Sequence, residues 1–336
     1  MTVLQHGGQL QTMVKRFGGV KEDWVDVSTG ISPYTYPIAL PPVESWQRLP
    51  EVSEQFTDAA GAYYGSELGL PIPGSQSVIQ LLPQLCAQNG KTIGRVWLPR
   101  VGYKEHQKAW QGTAIPMYFY NDLPALSALT SNDMVVVINP NNPTGFMANQ
   151  EQLFALANRL EQLSGMLIID EAFMDCTPAH SMLTRPLLAN MFILRSTGKF
   201  FGLAGIRLGM LFAQKQWLHH CAALLGPWTV NGPALHIAAQ AFSDRVWQQQ
   251  QRAKLDQDST WLDNVLSEHL QIRSAGTALF RTIKTPHATR WFSHLCQHQI
   301  YVRLCDEKDA LRFGLPLISQ RRKLENAIAS LPLLRE

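Results

Sequence analysis

Apolar, β-rich runs recur through the middle of this 336-residue chain, at Arg95–Leu98, Ala114–Phe119, Met134–Asn139, Met166–Asp170, Phe192–Arg195 and Gly209–Ala213. Helical stretches separate them. One of these, Glu151–Leu163, places Leu153, Phe154, Leu156, Ala157, Leu160 and Leu163 on a stripe suited to packing on a sheet. Strands alternating with helices specify crossover connections and an α/β fold. From Ala234 to about Leu270 the pattern turns helical and Gln-rich, and the run Trp247–Gln251 reads as a solvated face. Shorter runs follow at Ala278–Ile283, Tyr301–Cys305 and Leu311–Leu315, with helices near Thr289–Gln297 and Gln320–Ser330. That tail predicts a smaller α+β domain.

Several strand ends carry side chains with usable chemistry. Lys199 follows one strand in Leu194-Arg-Ser-Thr-Gly-Lys-Phe-Phe-Gly-Leu-Ala-Gly-Ile-Arg-Leu-Gly209. A lysine amine serves an enzyme chiefly when it can lose its proton and attack a carbonyl. Pyridoxal 5'-phosphate (PLP) suits these surroundings, offering an aldehyde to Lys199 and a phosphate to Ser196, Thr197 and Arg207. Asp170 ends Ile168-Ile-Asp170, where an open α/β sheet binds ligands, and a carboxylate there can keep a pyridine nitrogen protonated. Alone, Asp170 reads sooner as a helix cap or a surface ion-pair acid than as a cofactor ligand. Asn142 lies in Val135-Val-Val-Ile-Asn-Pro-Asn-Asn-Pro-Thr-Gly145, whose X-Pro steps impose extended or turn backbone. An asparagine there can reach the phenolic oxygen of the same ring. Pro73-Gly-Ser-Gln-Ser77 precedes an apolar helical run, so Gly74, Ser75 and Gln76 form a glycine turn opening a helix, favourable to an anion or simply a cap.

The order Asn142, Asp170, Lys199 and the strings around them resemble the fold-type I PLP enzymes of the class I/II aminotransferase superfamily, over nearly the whole chain. The resemblance implies a large, mostly parallel sheet domain with helices on both faces over residues 29–235. Residues 1–28 and 236–336 then form the smaller α+β domain. It also implies a PLP phosphate held by Gly74, Ser75, Gln76, Ser196 and Arg207, an aromatic ring (Tyr103) on the pyridine face, and catalytic roles for Lys199 and Asp170. Arg312, in Leu311-Arg-Phe-Gly314, matches a late arginine whose planar fork suits an α-carboxylate. His6, Ile31, Ser32, Asn142 and Asn231 are the other implied substrate contacts.

Within the superfamily the chain is similar to the threonine-phosphate decarboxylases and the histidinol-phosphate aminotransferases. His6-Gly7-Gly8, Trp24–Pro33, Asp170–Asp175, Gly198–Gly205 and Pro227–Asn231 look like the former. That likeness implies decarboxylation of L-threonine O-3-phosphate in cobalamin biosynthesis by a homodimer, with histidinol-phosphate transamination the alternative and a non-catalytic partner protein a remoter one. Three positions depart from the wider pattern. Gly198 replaces a serine, Phe173 a tyrosine, and Leu49, in Arg48-Leu-Pro50, a tyrosine expected to reach the partner subunit's cofactor.

Other classes find less support. Ser196-Thr-Gly-Lys199 matches SxxK, but the SDN and KTG elements of serine acylases are missing. Ile193 and Phe200 break a Walker loop. A net charge of +3 is too small to indicate nucleic acid or a membrane surface. The opening residues lack the basic and apolar regions of a signal peptide. The five cysteines form no CxxC pair, as expected of reduced thiols in a cytoplasmic protein. The ten histidines show no ligand spacing, so no metal site is expected.

Overall fold

The computed structural model describes residues 4 and 6–332; Met1, Thr2, Val3 and Gln5, read above for a leader, lie outside them. The chain divides into two compact units. The smaller runs to Thr35, takes in Pro143–Gly145 and resumes at Gln249; the larger comprises Tyr36–Asn142 and Phe146–Gln248. The divisions therefore fall at 35/36 and 248/249 instead of 28/29 and 235/236. Hydrogen bonds explain the shift at the N-terminal side. Gln251 Nε2 donates to Ser32 Oγ at 2.7 Å and Tyr34 Oη to Asp258 Oδ2 at 2.6 Å, so residues 29–35 are tied to the helix Arg245–Leu270.

A two-residue strand, β1 (Val25–Asp26), begins the regular sheet structure of the smaller unit. The larger unit is built on β2 (Gly69–Ile72), β3 (Arg95–Pro99), β4 (Met117–Tyr120), β5 (Asp133–Ile138), β6 (Met166–Asp170), β7 (Met191–Ser196) and β8 (Gly209–Phe212). Their order is β2-β8-β7-β6-β5-β3-β4. The run from β7 to β4 is parallel, whereas β8 is antiparallel to both neighbours. Strands β5 and β6 are buried along their whole length, which is why they read as unbroken apolar runs without alternation. The helix Gln150–Gln162 buries Leu153, Leu156, Ala157 and Leu160 and starts from a reciprocal capping box between Asn149 and Gln152.

Strand β2 escaped the sequence reading because Gly69 and Pro71 argue against a strand. It is an edge strand, where a missing proline N–H is tolerated. The Gln-rich run also differs from expectation. Gln248 and Gln251 are buried, and Gln248 Nε2 donates to the carbonyls of Ala241 and Phe242 at 2.8 and 2.9 Å. Those carbonyls end the preceding helix, Gly232–Ser243, and lack intrahelical partners. The Gln248 amide turns inward to satisfy them.

In the smaller unit β9 (Ala275–Thr277), β10 (Phe280–Lys284), β12 (Arg303–Leu304) and β13 (Ala310–Gly314) form an antiparallel sheet of order β12-β13-β10-β9, while β11 (Ile300–Tyr301) pairs in parallel with β1. Among the described residues, no helix is long and apolar enough to cross a membrane. No group of three or more His, Cys, Asp or Glu among them is arranged to hold a metal ion.

Candidate active site

Strand register brings the larger unit's motif residues to one edge of the sheet. Ile72 pairs with Gly209, Gly209 with Ser196, Leu194 with Asp170, and Asp170 with Ile138. The Gly74 turn, Asn142, Asp170 and the Ser196–Lys199 segment therefore leave their strands at the same edge, the carboxyl end of the parallel strands.

Asp170 is buried, and both its oxygens are engaged. Ala172 N–H donates to Oδ1 at 3.1 Å, and His106 Nε2 lies 2.9 Å from Oδ2. His106 Nδ1 is buried without a partner, so the tautomer with its proton on Nε2 is the one that satisfies the pair. His106 was missed in the sequence, where it stands three residues after Tyr103 in a short helix, Glu105–Trp110, with no motif to mark it. Tyr103 itself donates from Oη to Gln76 Oε1 at 2.9 Å.

Gly74 caps the helix Ser75–Gln88 with φ +76°, a left-handed value that favours glycine. A Cβ there would lie 2.7 Å from Arg207 Nη2. The guanidinium thus rests on the turn where the helix's first amides and dipole already favour an anion. Gly209 is needed for the same closeness, since its Cβ would meet Ser75 N at 2.9 Å. The donor set at this turn, an arginine with helix-terminal amides and the Ser75 hydroxyl, fits a phosphate.

Lys199 is half-buried, and its Nζ lies 5.5 Å from the centroid of the apolar Phe173 ring. Gly198 has a steric explanation: a Cβ would approach Ala204 Cα to 2.9 Å. Ser196 is half-buried, but Thr197 is fully buried and its Oγ1 has no partner. Thr197 consequently faces the interior. Asn142 is half-buried, while the asparagines before it are engaged by the backbone. Asn139 exchanges hydrogen bonds with Ala148, 2.8 Å from its N–H and 3.2 Å to its carbonyl, and Asn141 Nδ2 donates to Val101 O at 3.0 Å.

Beneath this edge lies a buried ion network that no sequence motif announced. Arg195 Nη1 is 2.8 Å from Glu171 Oε2, Arg195 Nη2 pairs with Asp175, and the guanidinium stands 4.9 Å from the Tyr64 ring centroid. Ser181 Oγ and Met182 N–H also donate to Glu171, at 2.5 and 2.8 Å. Burial nevertheless raises the Glu171 carboxyl above its ordinary value. Such a network, hydrogen-bonded on both sides, anchors the loop after β6 to β7.

Two expected substrate residues make hydrogen bonds within the protein. Asn231 caps the helix Gly232–Ser243, its Oδ1 accepting from Ala234 N–H at 2.9 Å, while Nδ2 donates to Ile206 O at 3.3 Å. Ser32 Oγ donates to Tyr34 O and accepts from Tyr34 N–H, both at 3.0 Å, as well as from Gln251. Both side chains hold their own segments in place. Ile31 is half-buried.

Within the smaller unit a second group converges on Ser28. Gly8 N–H donates to Ser28 Oγ at 2.8 Å, and Arg312 Nη2 to Ser28 O at 2.7 Å. A Cβ at Gly7 would lie 2.3 Å from Ser28 O, which explains the His-Gly-Gly string as a close backbone approach. Tyr301 Oη donates to His6 O at 3.4 Å. Arg312 is buried, and burial pushes its guanidinium down to about 10. Arg303 is its register partner on β12, so the two arginines share a face of that sheet; Arg303 pairs with Asp306 at 2.7 Å. Arg303 was not singled out from the sequence, because only the antiparallel pairing places it beside Arg312.

The chain is similar to known proteins over nearly its whole length. Residues 49–331 match the model of the family Aminotransferase class I and II. The threonine-phosphate decarboxylase of Pseudomonas aeruginosa is 39% identical over 314 residues, 94% of this chain and 93% of its own. That of a Sinorhizobium species is 37% identical over 337 aligned residues, 98% of each. Among solved structures, histidinol-phosphate aminotransferase from Sinorhizobium meliloti in complex with pyridoxal-5'-phosphate superposes with a TM-score of 0.77 at 15% identity, covering 99% of this chain and 96% of its own. The chain belongs to the aminotransferase class I and II family, among the threonine-phosphate decarboxylases.

Proposed function

We propose that this protein is a carbon–carbon lyase that decarboxylates L-threonine O-3-phosphate to (R)-1-amino-2-propanol O-2-phosphate and CO2, a step serving cobalamin biosynthesis in the cytoplasm. Its cofactor is PLP. The observation that carries the chemistry is the meeting at one sheet edge of Lys199, the Asp170–His106 pair and the Arg207-backed turn at Gly74. The substrate is supported by the names of both curated relatives.

When bound, PLP supplies an aldehyde for a lysine and a protonated ring that accepts the electron pair released at Cα. The protein supplies position and protons. Gly74, Ser75, Gln76, Ser196 and Arg207 hold the phosphate, Tyr103 offers its ring face, and Asn142 offers an amide to the ring oxygen. Asp170, its Oδ2 tied to His106, holds the pyridine proton. Lys199, lined by the Phe173 ring, carries the amine and returns a proton to Cα after CO2 leaves. Arg312 takes the α-carboxylate through its fork. Arg303, beside it, and His6 take the substrate phosphate. Fixing a phosphate at one end of a small amino acid sets the rotation at Cα, and so selects the bond that breaks.

The partner is a second copy of this chain. In the larger unit the segment from Ile38 to Val52 leaves Ile38, Leu40, Val43, Trp46, Leu49 and Val52 exposed, Leu40 by 89%. A run of this kind marks an association surface. Light scattering should then give twice the chain mass.

The activity is tested by supplying threonine phosphate and, separately, histidinol phosphate with 2-oxoglutarate. CO2 release from the former without consumption of keto acid is expected; glutamate formation with the latter would assign a transaminase. Lys199→Ala should abolish turnover while PLP still binds noncovalently, and an active variant would refute the lysine's role.

A further inference from the structure

Tyr103 is one end of a directed chain of hydrogen bonds. Its Oη donates to Gln76 Oε1 at 2.9 Å, Gln76 Nε2 donates to Glu105 Oε2 at 2.9 Å, and Lys108 Nζ lies 3.4 Å from Glu105 Oε1. Glu105 is 3% exposed, and nothing in the chemistry above uses it. A carboxylate accepts only. It therefore compels Gln76 to turn its NH2 inward and its carbonyl toward Tyr103, which in turn compels the phenol to donate its single proton to Gln76. Were the amide reversed, Gln76 would aim its carbonyl at a carboxylate, an unfavourable contact for a buried group.

We propose that Glu105 is a positioning residue that fixes the polarity of this chain and thereby holds the Tyr103 ring in the one orientation its cofactor role requires. Gln76 lies in the first turn of the helix at Gly74, so the same carboxylate links the ring-bearing loop after β3 to the anion-binding turn. The phenol proton is committed to Gln76 and is unavailable to a substrate. The inference rests on Tyr103 as the residue that stacks on the pyridine ring.

The test is PLP binding to the apoenzyme, followed by tryptophan fluorescence, together with the visible circular dichroism of the reconstituted protein. Glu105→Leu should raise the Kd for PLP about fivefold, the scale of one lost hydrogen bond, and reduce the visible dichroism. Glu105→Gln keeps an acceptor oxygen and should stay within about twofold of the parent. In a Tyr103→Phe background, Glu105→Leu should add less than about twofold, because the phenol it acts through is gone. Parental Kd and dichroism in Glu105→Leu, or equal losses in both backgrounds, would overturn the proposal. Should Glu105→Leu fail to fold, Gln76→Met breaks the chain at its middle and is judged by the same criteria. Tyr103→Ala separates the two readings: an unchanged Kd there removes the stacking role itself, whatever Glu105 does.

Discussion

His106 shows how much one unmarked side chain contributes. It is the buried partner of Asp170, and a hydrogen bond to a charged group contributes about 1.5–3 kcal/mol. His106→Phe fills similar space and removes that bond. We expect kcat to fall roughly ten- to a hundredfold with little change in KM for the substrate, as steady-state assays would show; an unchanged kcat would make the pair structural only. Gly198 is the steric counterpart. A serine at this position puts a Cβ 2.9 Å from Ala204 Cα, and overpacking of this kind costs about 1–3 kcal/mol. Gly198→Ser should lower the urea midpoint accordingly. A midpoint at or above the parent's would mean that the Ala204 segment gives way freely.

Individual elements follow their local chemistry where that chemistry is self-contained. The helix after Asn149 was legible from its apolar stripe and begins with a capping box. Because Asn149 is exposed and well away in sequence from the catalytic motifs, Asn149→Ala should cost about 1 kcal/mol of stability and leave kcat intact. Loss of activity in parallel with stability would contradict that separation. β2 and the Gln-rich helix were read less well, for one reason. Pro71 is acceptable only because β2 lies at the sheet edge, and Gln248 is buried only because another helix ends against it. Neither neighbour is visible in a local window.

The whole molecule is two units, each with buried thiols of its own. Cys86 and Cys221 in the larger unit, and Cys296 and Cys305 in the smaller, are buried, which pushes these thiols up to about 12, 11, 12 and 11. A thiol raised to about 11 is ionised to roughly one part in a thousand at pH 8, and the thiolate is the reactive form. Half-buried Cys176 should therefore be the one fast site for iodoacetamide in the native protein. Labelling of the other four should rise with pH, and all five should react in denaturant. Rapid native labelling of Cys296 and Cys305 alone would reveal opening of the smaller unit by itself.

The sequence by itself determined the fold class and the cofactor. Strand periodicity and the spacing of Asn142, Asp170 and Lys199 are properties of contiguous segments, and chemistry at a strand end needs few neighbours to be recognised. Tertiary structure decided which polar side chains remain available to a ligand. Ser32 and Asn231 are bonded to their own segments and Thr197 is buried, while His106 meets Asp170, Glu105 meets Gln76 and Arg303 meets Arg312 only through tertiary pairing. A hydrogen bond satisfies whichever group reaches it first, and reach is fixed only once the sheet registers are set.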